Sequence, residues 1–510
     1  MVKILGFIFS LFYALITWLS FGIPLKICTF FDKLTFQKFT PQIFEMNNGF
    51  YYDVSNNDMP TGIMLSVLGF CFILYFCLIK KVKNNIEKGL LKWIIGFAIL
   101  FRIILLPGIL IHENDIYRYL WDAQSSVEGI NPFKYAPSDL FMYEYNIQSN
   151  YYDDANEVTL KSKKFSLDDK SRLNKLIRLR DQKSVFFNRI GHWQVPTIYP
   201  PVTQILFMLP AFINPHSLIL MKILFILFDI GTIFILIALL RHFNQNPNLS
   251  LIYAWSPLVL FEFSNRGHYD SIPIFWTMLA IYFFIIKKQS LSFCALALAA
   301  LSKFFAGVLL PFFMRPFKLR TIFIFGATFI LFYLPYLFWN QTGFAGVFEG
   351  LGTYNKEWAY NGSIFALIHI GFKKFFNIHS LMPAKITCGG IYLIFLFYVY
   401  KTKIQSPLQT LHQCFLAIAG LFIINPVGDP WYYCWVIPFL CFFPYRSWLF
   451  LSSLLPLSYL NFHSDLTIVD IKWGGISALS WIIYLPFFIY LCKEIVFKST
   501  TEAKIKEDLS

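Results

Sequence analysis

Apolar residues in this chain come in repeated runs long enough to cross a bilayer, apolar all round instead of along one face, and polar residues gather in the connectors between them. The pattern predicts an all-α integral membrane protein, a single polytopic bundle over residues 1–510 with roughly 11–14 transmembrane helices. The first spans fall near residues 4–24, 62–79 and 93–111. The opening run is read as a membrane helix, with a cleaved signal peptide as the alternative.

Basic residues set the expected topology. Between the second and third runs, Lys80, Lys81, Lys83, Lys88 and Lys92 stand against one acid, Glu87, so that loop and the N-terminus are placed in the cytoplasm and residue 112 outside. Later clusters (Arg241 with His242, Lys287 with Lys288, Arg315 with Lys318 and Arg320, Lys401 with Lys403) can all lie inside, provided two runs are broken. Residues 201–213 become a half-length segment, and residues 290–314 become two short helices joined near Lys303. Irregular backbone at membrane depth is tolerated only where protein or a water-filled cavity surrounds it, so the breaks predict a cavity. With them, the polar-aromatic connectors at 112–137, 192–201, 265–270, 303, 339–363, 425–433 and 461–473 reach one face.

Composition supports the class. Hydrophobic residues make up 57% of the chain against 14% charged, more apolar surface than soluble cores could hide. The net charge of +14 sits in clusters between runs, which reads as topology and not as a nucleic-acid surface. Nine cysteines, mostly inside apolar runs and without C-x-x-C spacing, read as small core residues. The large loop at 112–200 contains a polar insertion, 144–192. There, Ser166 and Asp169 look like a capping box, and Leu173, Leu176 and Ile177 recur at helical spacing. These features predict an amphipathic helix on the outer membrane surface, the alternative being a solvated insertion without catalytic consequence.

The connector HENDIYRYLWDAQSSVEGINPFKYAP, residues 112–137, gathers acids, an arginine and aromatics. A helix starting here puts Asp115, Arg118 and Asp122 on one face, and Gly129, Asn131, Pro132 and Pro137 then turn the chain. D-x-x-R-Y-x-W-D (Asp115 to Asp122, with Tyr119 and Trp121), G-x-N-P-F-x-Y-A-P (Gly129 to Pro137) and I-Y-P-P-x-x-Q (Ile198 through Tyr199 to Gln204) together resemble bacterial GT-C superfamily glycosyltransferases. Weaker pieces follow in the expected order: N-R-G-H-Y-D with Arg266, His268 and Asp270; Ser302-Lys303; Y-N-G-S with Asn361; and N-P-x-x-x-P-W-Y with Trp431. Ala123 and Phe133 depart from the usual glycine and tyrosine.

The resemblance implies an inverting, metal-independent transfer of one sugar, commonly mannose, from a polyprenyl-phosphate carrier to a glycan or glycolipid acceptor. It also implies a bacterial cytoplasmic membrane, membrane lipids around the bundle, an extracytoplasmic active site, and no cofactor beyond the lipid-linked donor. Such a transfer needs a carboxylate to take the acceptor proton and cations to stabilise the departing phosphate. Asp115 is the expected base, with Glu113 as alternative or helper. Arg118, Arg266, His268 and Lys303 are expected at the phosphate. Trp121, Tyr199 and Trp431 could stack on sugar faces or line the prenyl groove. Tyr119, Asp122, Asn131, Gln204, Asp270 and Asn361 are expected to contact substrate as members of the same motifs.

Structural readings stand beside these. Asp115 could cap a helix, Arg118 could bridge to Asp122, Lys303 could snorkel, and Trp and Tyr could anchor span ends. Arg102 and Asp229 fall near mid-span and are expected to pair. A metal is not expected, because no second histidine has ligand spacing to His112, Glu113 and Asp115, and no G-x-S-x-G nucleophile motif occurs. Sequons at Asn340 and Asn361 would matter only in a eukaryotic secretory membrane. The rival classes are a transporter or flippase of lipid-linked sugars and a non-catalytic scaffold.

Overall fold

A computed structural model describes residues 1–21, 43–46, 49–52, 61–83, 89–111, 113–145, 165–315, 318–462, 472–473 and 476–507. Glu87, Lys88, His112, residues 146–164 of the polar insertion and the connector residues 463–471 lie outside the described residues. From the N-terminus, α1 (Val2–Ser20), α2 (Thr61–Lys83) and α3 (Leu90–Leu105) precede two loop helices, α4 (Asp115–Val127) and α5 (Leu167–Gln182). The bundle resumes with α6 (Pro201–Ile213), α7 (Leu218–His242), α8 (Ser271–Ile285) and α9 (Gln289–Ala300). It continues through α10 (Leu319–Phe338), α11 (Gly343–Glu357), α12 (Ile364–Phe376) and α13 (Met382–Lys401), and ends with α14 (Pro407–Ile424), α15 (Arg446–Leu454) and α16 (Ala478–Glu507). Two small antiparallel ribbons, Ile43–Met46 with Gly49–Tyr52 and Lys472–Trp473 with Ile476–Ser477, add little to an α-helical fold.

Among the described residues, seven helices (α1, α2, α7, α10, α13, α14 and α16) are long and apolar enough to cross a membrane, and shorter apolar helices lie between them. Sequence sets several helix ends. Ser217 caps α7 by accepting from Leu220 N–H, and Ser406 with Gln409 forms a capping box on α14, where Pro407 fills the first turn. The third run stops at Leu105 instead of continuing to residue 111, because Pro107 cannot donate to the helix ladder. The carbonyls this leaves are taken up by Lys222, whose Nζ donates to Leu106 O at 2.7 Å and Gly108 O at 3.0 Å.

The expected breaks are present. α9 ends at Ala300, and after Leu301–Lys303 the chain re-enters a short helical turn, Phe304–Leu309. α6 begins beside that gap: Val202 N–H donates to Leu301 O at 3.1 Å and the Thr203 hydroxyl to Ser302 O at 2.8 Å. The two irregular ends thus satisfy each other's backbone, which is what apolar surroundings demand. Deeper in the bundle Arg102 and Asp229 pair as expected, Nε to Oδ2 at 2.7 Å and both fully buried, while Arg102 Nη1 donates to Ala98 O and Ala254 O.

One expectation is corrected. The capping box of Ser166 and Asp169 starts α5 as read from sequence, but Leu173 and Leu176 are buried against protein, in a cluster with Leu140, Trp121 and Phe187. Asp169 accepts from the Tyr135 hydroxyl at 2.5 Å and pairs with Lys134 at 3.0 Å, and Arg180 pairs with Glu144 at 2.7 Å. The apolar stripe is therefore covered by the chain's own loop and is not left for lipid.

α11 docks closely on the 192–201 connector at Gly350, where a Cβ would stand 2.5 Å from Pro196 O and 2.9 Å from Thr197 O. Gly350→Ala is accordingly expected to cost about 1–3 kcal/mol as the helix is pushed off its seat. A thermal melt of the detergent-solubilised protein that matches wild type would refute that contact.

Candidate active site

α4 begins at Asp115, and its first donors are met by the preceding acid. Asn114 N–H and Asp115 N–H both donate to Glu113 Oε1 at 2.8 Å, so Glu113, not Asp115, does the work of a cap at the positive end of the helix. Glu113 Oε2 points the other way, 3.0 Å from Arg266 Nη2 and 2.9 Å from His268 Nε2. Asp115 is held only lightly, accepting from the Tyr119 hydroxyl at 3.4 Å.

The segment that delivers Arg266 and His268 is a turn of wide π-helix, Phe261–Asn265, followed by Gly267. Gly267 has φ of +73°, a conformation that favours glycine, and a Cβ there would also press on Ile116 Cδ1 at 2.8 Å. The turn aims Glu262 inward as well: it lies 3.4 Å from Arg266 Nη1 and 3.2 Å from His268 Nε2, and accepts from the Tyr459 hydroxyl. Trp431 stacks on His268 with ring centroids 4.0 Å apart and planes 17° apart. Arg266 also lies over the Tyr459 ring at 4.3 Å.

From the gap after α9, Lys303 reaches Asp270 at 2.6 Å and sits 4.0 Å above the Tyr432 ring. Asp270 Oδ1 also accepts from Trp435 Nε1 at 2.7 Å. Beneath Asp115, Tyr119 and Tyr199 join Tyr269 and Phe207 in a buried aromatic floor, with Tyr119 centroids 5.0 Å from Tyr199 and 4.8 Å from Phe207. Five connectors thus meet, as the placement of polar stretches predicted.

Their charges divide the carboxyls into two kinds. Burial opposes ionisation of Glu113, but His268, Arg266 and the hydrogen bonds it accepts outweigh that and hold it down at about 2. Burial and the adjacent Glu113 carboxylate push Asp115 up to about 6, against the pull of His268, Lys303 and Arg266. Burial and Glu113 likewise raise Asp429, at the start of the Pro430–Tyr433 turn. Burial works against a charged His268, yet Glu113 and Glu262 raise it to about 10, so its imidazole is a cation at neutral pH. Two acids, Glu113 and Glu262, stand beside the cations Arg266 and His268, and next to them lies a carboxyl poised near the pH at which a base is most useful.

Glu113, Asp115 and His268 offer ligand atoms within 4.8 Å of one another, a set spacing along the chain does not reveal because the histidine arrives from a distant connector. By distance alone it could hold a divalent ion. Arg266 Nη2 and His268 Nε2 both stand against the same Glu113 oxygen, Oε2, so that oxygen is already paired with these two side chains.

Of the residues singled out from sequence, Glu113, Asp115, Arg266, His268, Asp270, Lys303 and Trp431 are brought together, with Tyr119 and Tyr199 below them. The others hold the scaffold. Arg118 bonds Asp122 at 2.8 Å and Val195 O at 2.9 Å, and Gln204 donates to Asp122 and to the Thr197 hydroxyl, tying α4 to the connector ahead of α6. Trp121 packs on Phe187, 4.9 Å between centroids. Asn131 spans to Tyr336 O, Trp339 O and the Thr342 hydroxyl, and Asn361 bonds Gly428 O. Arg118 shares a face with Asp115 but is claimed by Asp122 and Val195 O, which spacing in a motif does not convey.

Glu262, Asp429, Trp435 and Tyr459 belong to the site and were not singled out. Glu262 carried a legible signal: an acid ending an apolar run, four residues before Arg266. No family model, curated protein or solved structure matches the chain.

Proposed function

We propose that this chain is a membrane glycosyltransferase that moves a single sugar, mannose in the simplest case, from a polyprenyl-phosphate carrier to a glycan or glycolipid acceptor, with inversion at the anomeric carbon. The observation that carries the reading is the placement of the lightly held Asp115 carboxyl, with an oxygen within 4.8 Å of Glu113 and His268, in a cluster to which two other connectors bring Arg266, His268 and Lys303. In the reaction Asp115 takes the proton of an acceptor hydroxyl. The acceptor oxygen bonds to the anomeric carbon as the bond from that carbon to the phosphate oxygen breaks, and the electron pair leaves with polyprenyl phosphate. Arg266 and His268 meet the charge that develops on the phosphate, and Lys303 adds a point charge. Glu113 keeps both cations in place and charged.

The bundle, with its broken helices and a cluster of charged side chains at their ends, is read as GT-C-like with roughly 11–14 spans. The positive-inside rule supports a cytoplasmic N-terminus and an extracytoplasmic site in a bacterial inner membrane. Gathering of acids and cations at the ends of spans, instead of along a central path, supports an enzyme over a transporter.

Membranes expressing the chain are expected to move label from radiolabelled polyprenyl-phosphate mannose to an acceptor, above an empty-vector baseline, and to do so undiminished in EDTA. Transfer from no polyprenyl-phosphate sugar would sink the reading. Loss on chelation, restored by a divalent ion, would give the metal the place assigned here to Arg266.

A further inference from the structure

An aromatic path leads from the surface to the acids. At its outer end His192, exposed, and Trp358, half-buried, lie 4.5 Å apart, and Trp358 Nε1 donates to His192 Nε2 at 3.3 Å. Tyr354, one helical turn before Trp358, lies 5.4 Å from it, and its hydroxyl is 3.0 Å from the Tyr432 hydroxyl. Tyr432 carries Lys303 over its ring. Tyr354 is close enough to Asp115, Asp270 and Asp429 for their charges to bear on its hydroxyl.

The backbone around this path is fixed at several points. Gly350 seats α11 on Pro196 and Thr197. Lys385 Nζ closes the end of α11 by donating to Asn355 O, Lys356 O and Trp358 O. Tyr360 N–H donates to Pro426 O and Gly428 N–H to Tyr360 O, clamping the chain that follows. His192 holds φ of +52°, uncommon for a residue with a Cβ, and its ring stands against Trp358.

We propose that Trp358, Tyr354 and His192 form a saccharide-binding subsite through which the acceptor glycan reaches Asp115. This rests on the glycosyltransferase reading for the word acceptor, and on geometry for the word saccharide. A sugar ring lays its C–H face on an aromatic ring while its hydroxyls find polar edges, and this path offers both: ring faces, two phenolic hydroxyls and an imidazole. A prenyl chain would need apolar walls, whereas Asn355, Lys356 and Glu357 beside the path are exposed and polar. The cations for the donor phosphate stand at the inner end, so the outer end is free for the other substrate.

The test is saturation-transfer NMR on the full chain in detergent, using soluble oligosaccharides of mannose, glucose, galactose and N-acetylglucosamine. Donor transfer is measured on the same preparations. Wild type and Asp115→Asn are expected to bind at least one oligosaccharide. Trp358→Ala and Tyr354→Ala should bind it about tenfold more weakly, and Trp358→Phe should recover part of the loss. In transfer assays Trp358→Ala should raise the acceptor KM with kcat nearly unchanged. Size-exclusion profiles matching wild type guard against misfolding, and the phenylalanine variant guards against loss of packing alone. Oligosaccharide affinity equal in wild type and Trp358→Ala, or no binding by wild type, overturns the subsite even if transfer is found. Loss of binding in Trp358→Ala without transfer from any polyprenyl donor keeps the subsite and removes the transferase.

Discussion

Asp115→Asn is expected to lower sugar transfer by about 100- to 10,000-fold, the usual contribution of a positioned general base, while the protein inserts and purifies normally. The wild-type rate should climb as pH rises through about 6, because only the ionised carboxyl accepts a proton. Stability runs the opposite way. The pKa of Asp115 in the fold lies above that of a free carboxyl, so the residue stabilises the fold while protonated and loses that contribution as pH rises through about 6. Asparagine has the shape without the charge. The variant should therefore melt no lower than wild type at pH 8, a combination of lost activity and kept stability that a structural acid would not give. If Asp115→Asn retains its rate and Glu113→Gln does not, the two carboxyls have been assigned the wrong way round.

Removing one partner of the buried pair in mid-bundle should have the largest effect on folding. Arg102→Leu or Asp229→Leu leaves an uncompensated charge among apolar side chains, at a cost of about 3–5 kcal/mol, and each variant should accumulate poorly and melt early. The double leucine variant should recover much of the loss, since neither charge then needs the other. The recovery is incomplete because Arg102 also donates to Ala98 O and Ala254 O, which would lose that partner. Single variants that fold and melt like wild type would show the pair to be dispensable.

Particular residues show what was legible in the sequence. Arg102 and Asp229 stood out because both fall near mid-span, where an isolated charge is costly without a partner. The gap near Lys303 followed from the basic clusters, which cannot share a side unless a run breaks. Glu262 carried the same kind of signal as Asp229 but lay beside a polar connector, where an acid draws less notice. Trp121 and Arg118 sit within the motif that holds Asp115, yet one is turned into the core around Phe187 and the other toward Asp122, since neighbouring positions on a helix differ by direction more than by distance. α5 shows the limit of periodicity: an apolar stripe states that it must be covered and is silent on whether lipid or protein covers it.

α6 is only 13 residues long, about 20 Å, against a hydrocarbon core of about 30 Å. Its outward residues, Ile205, Leu209, Phe212 and Ile213, are exposed, and Gln204 at its inner end is fully buried. A bilayer flanking this helix meets an apolar wall shorter than itself, so it must thin there or let headgroups and water descend toward the Pro200–Pro201 turn. Either response brings the phosphate layer nearer to the floor on which Asp115 sits. For the proposed transfer, acyl-chain length in the surrounding lipid is then expected to be a variable, thin bilayers bringing a lipid-borne phosphate to depths that thick ones withhold.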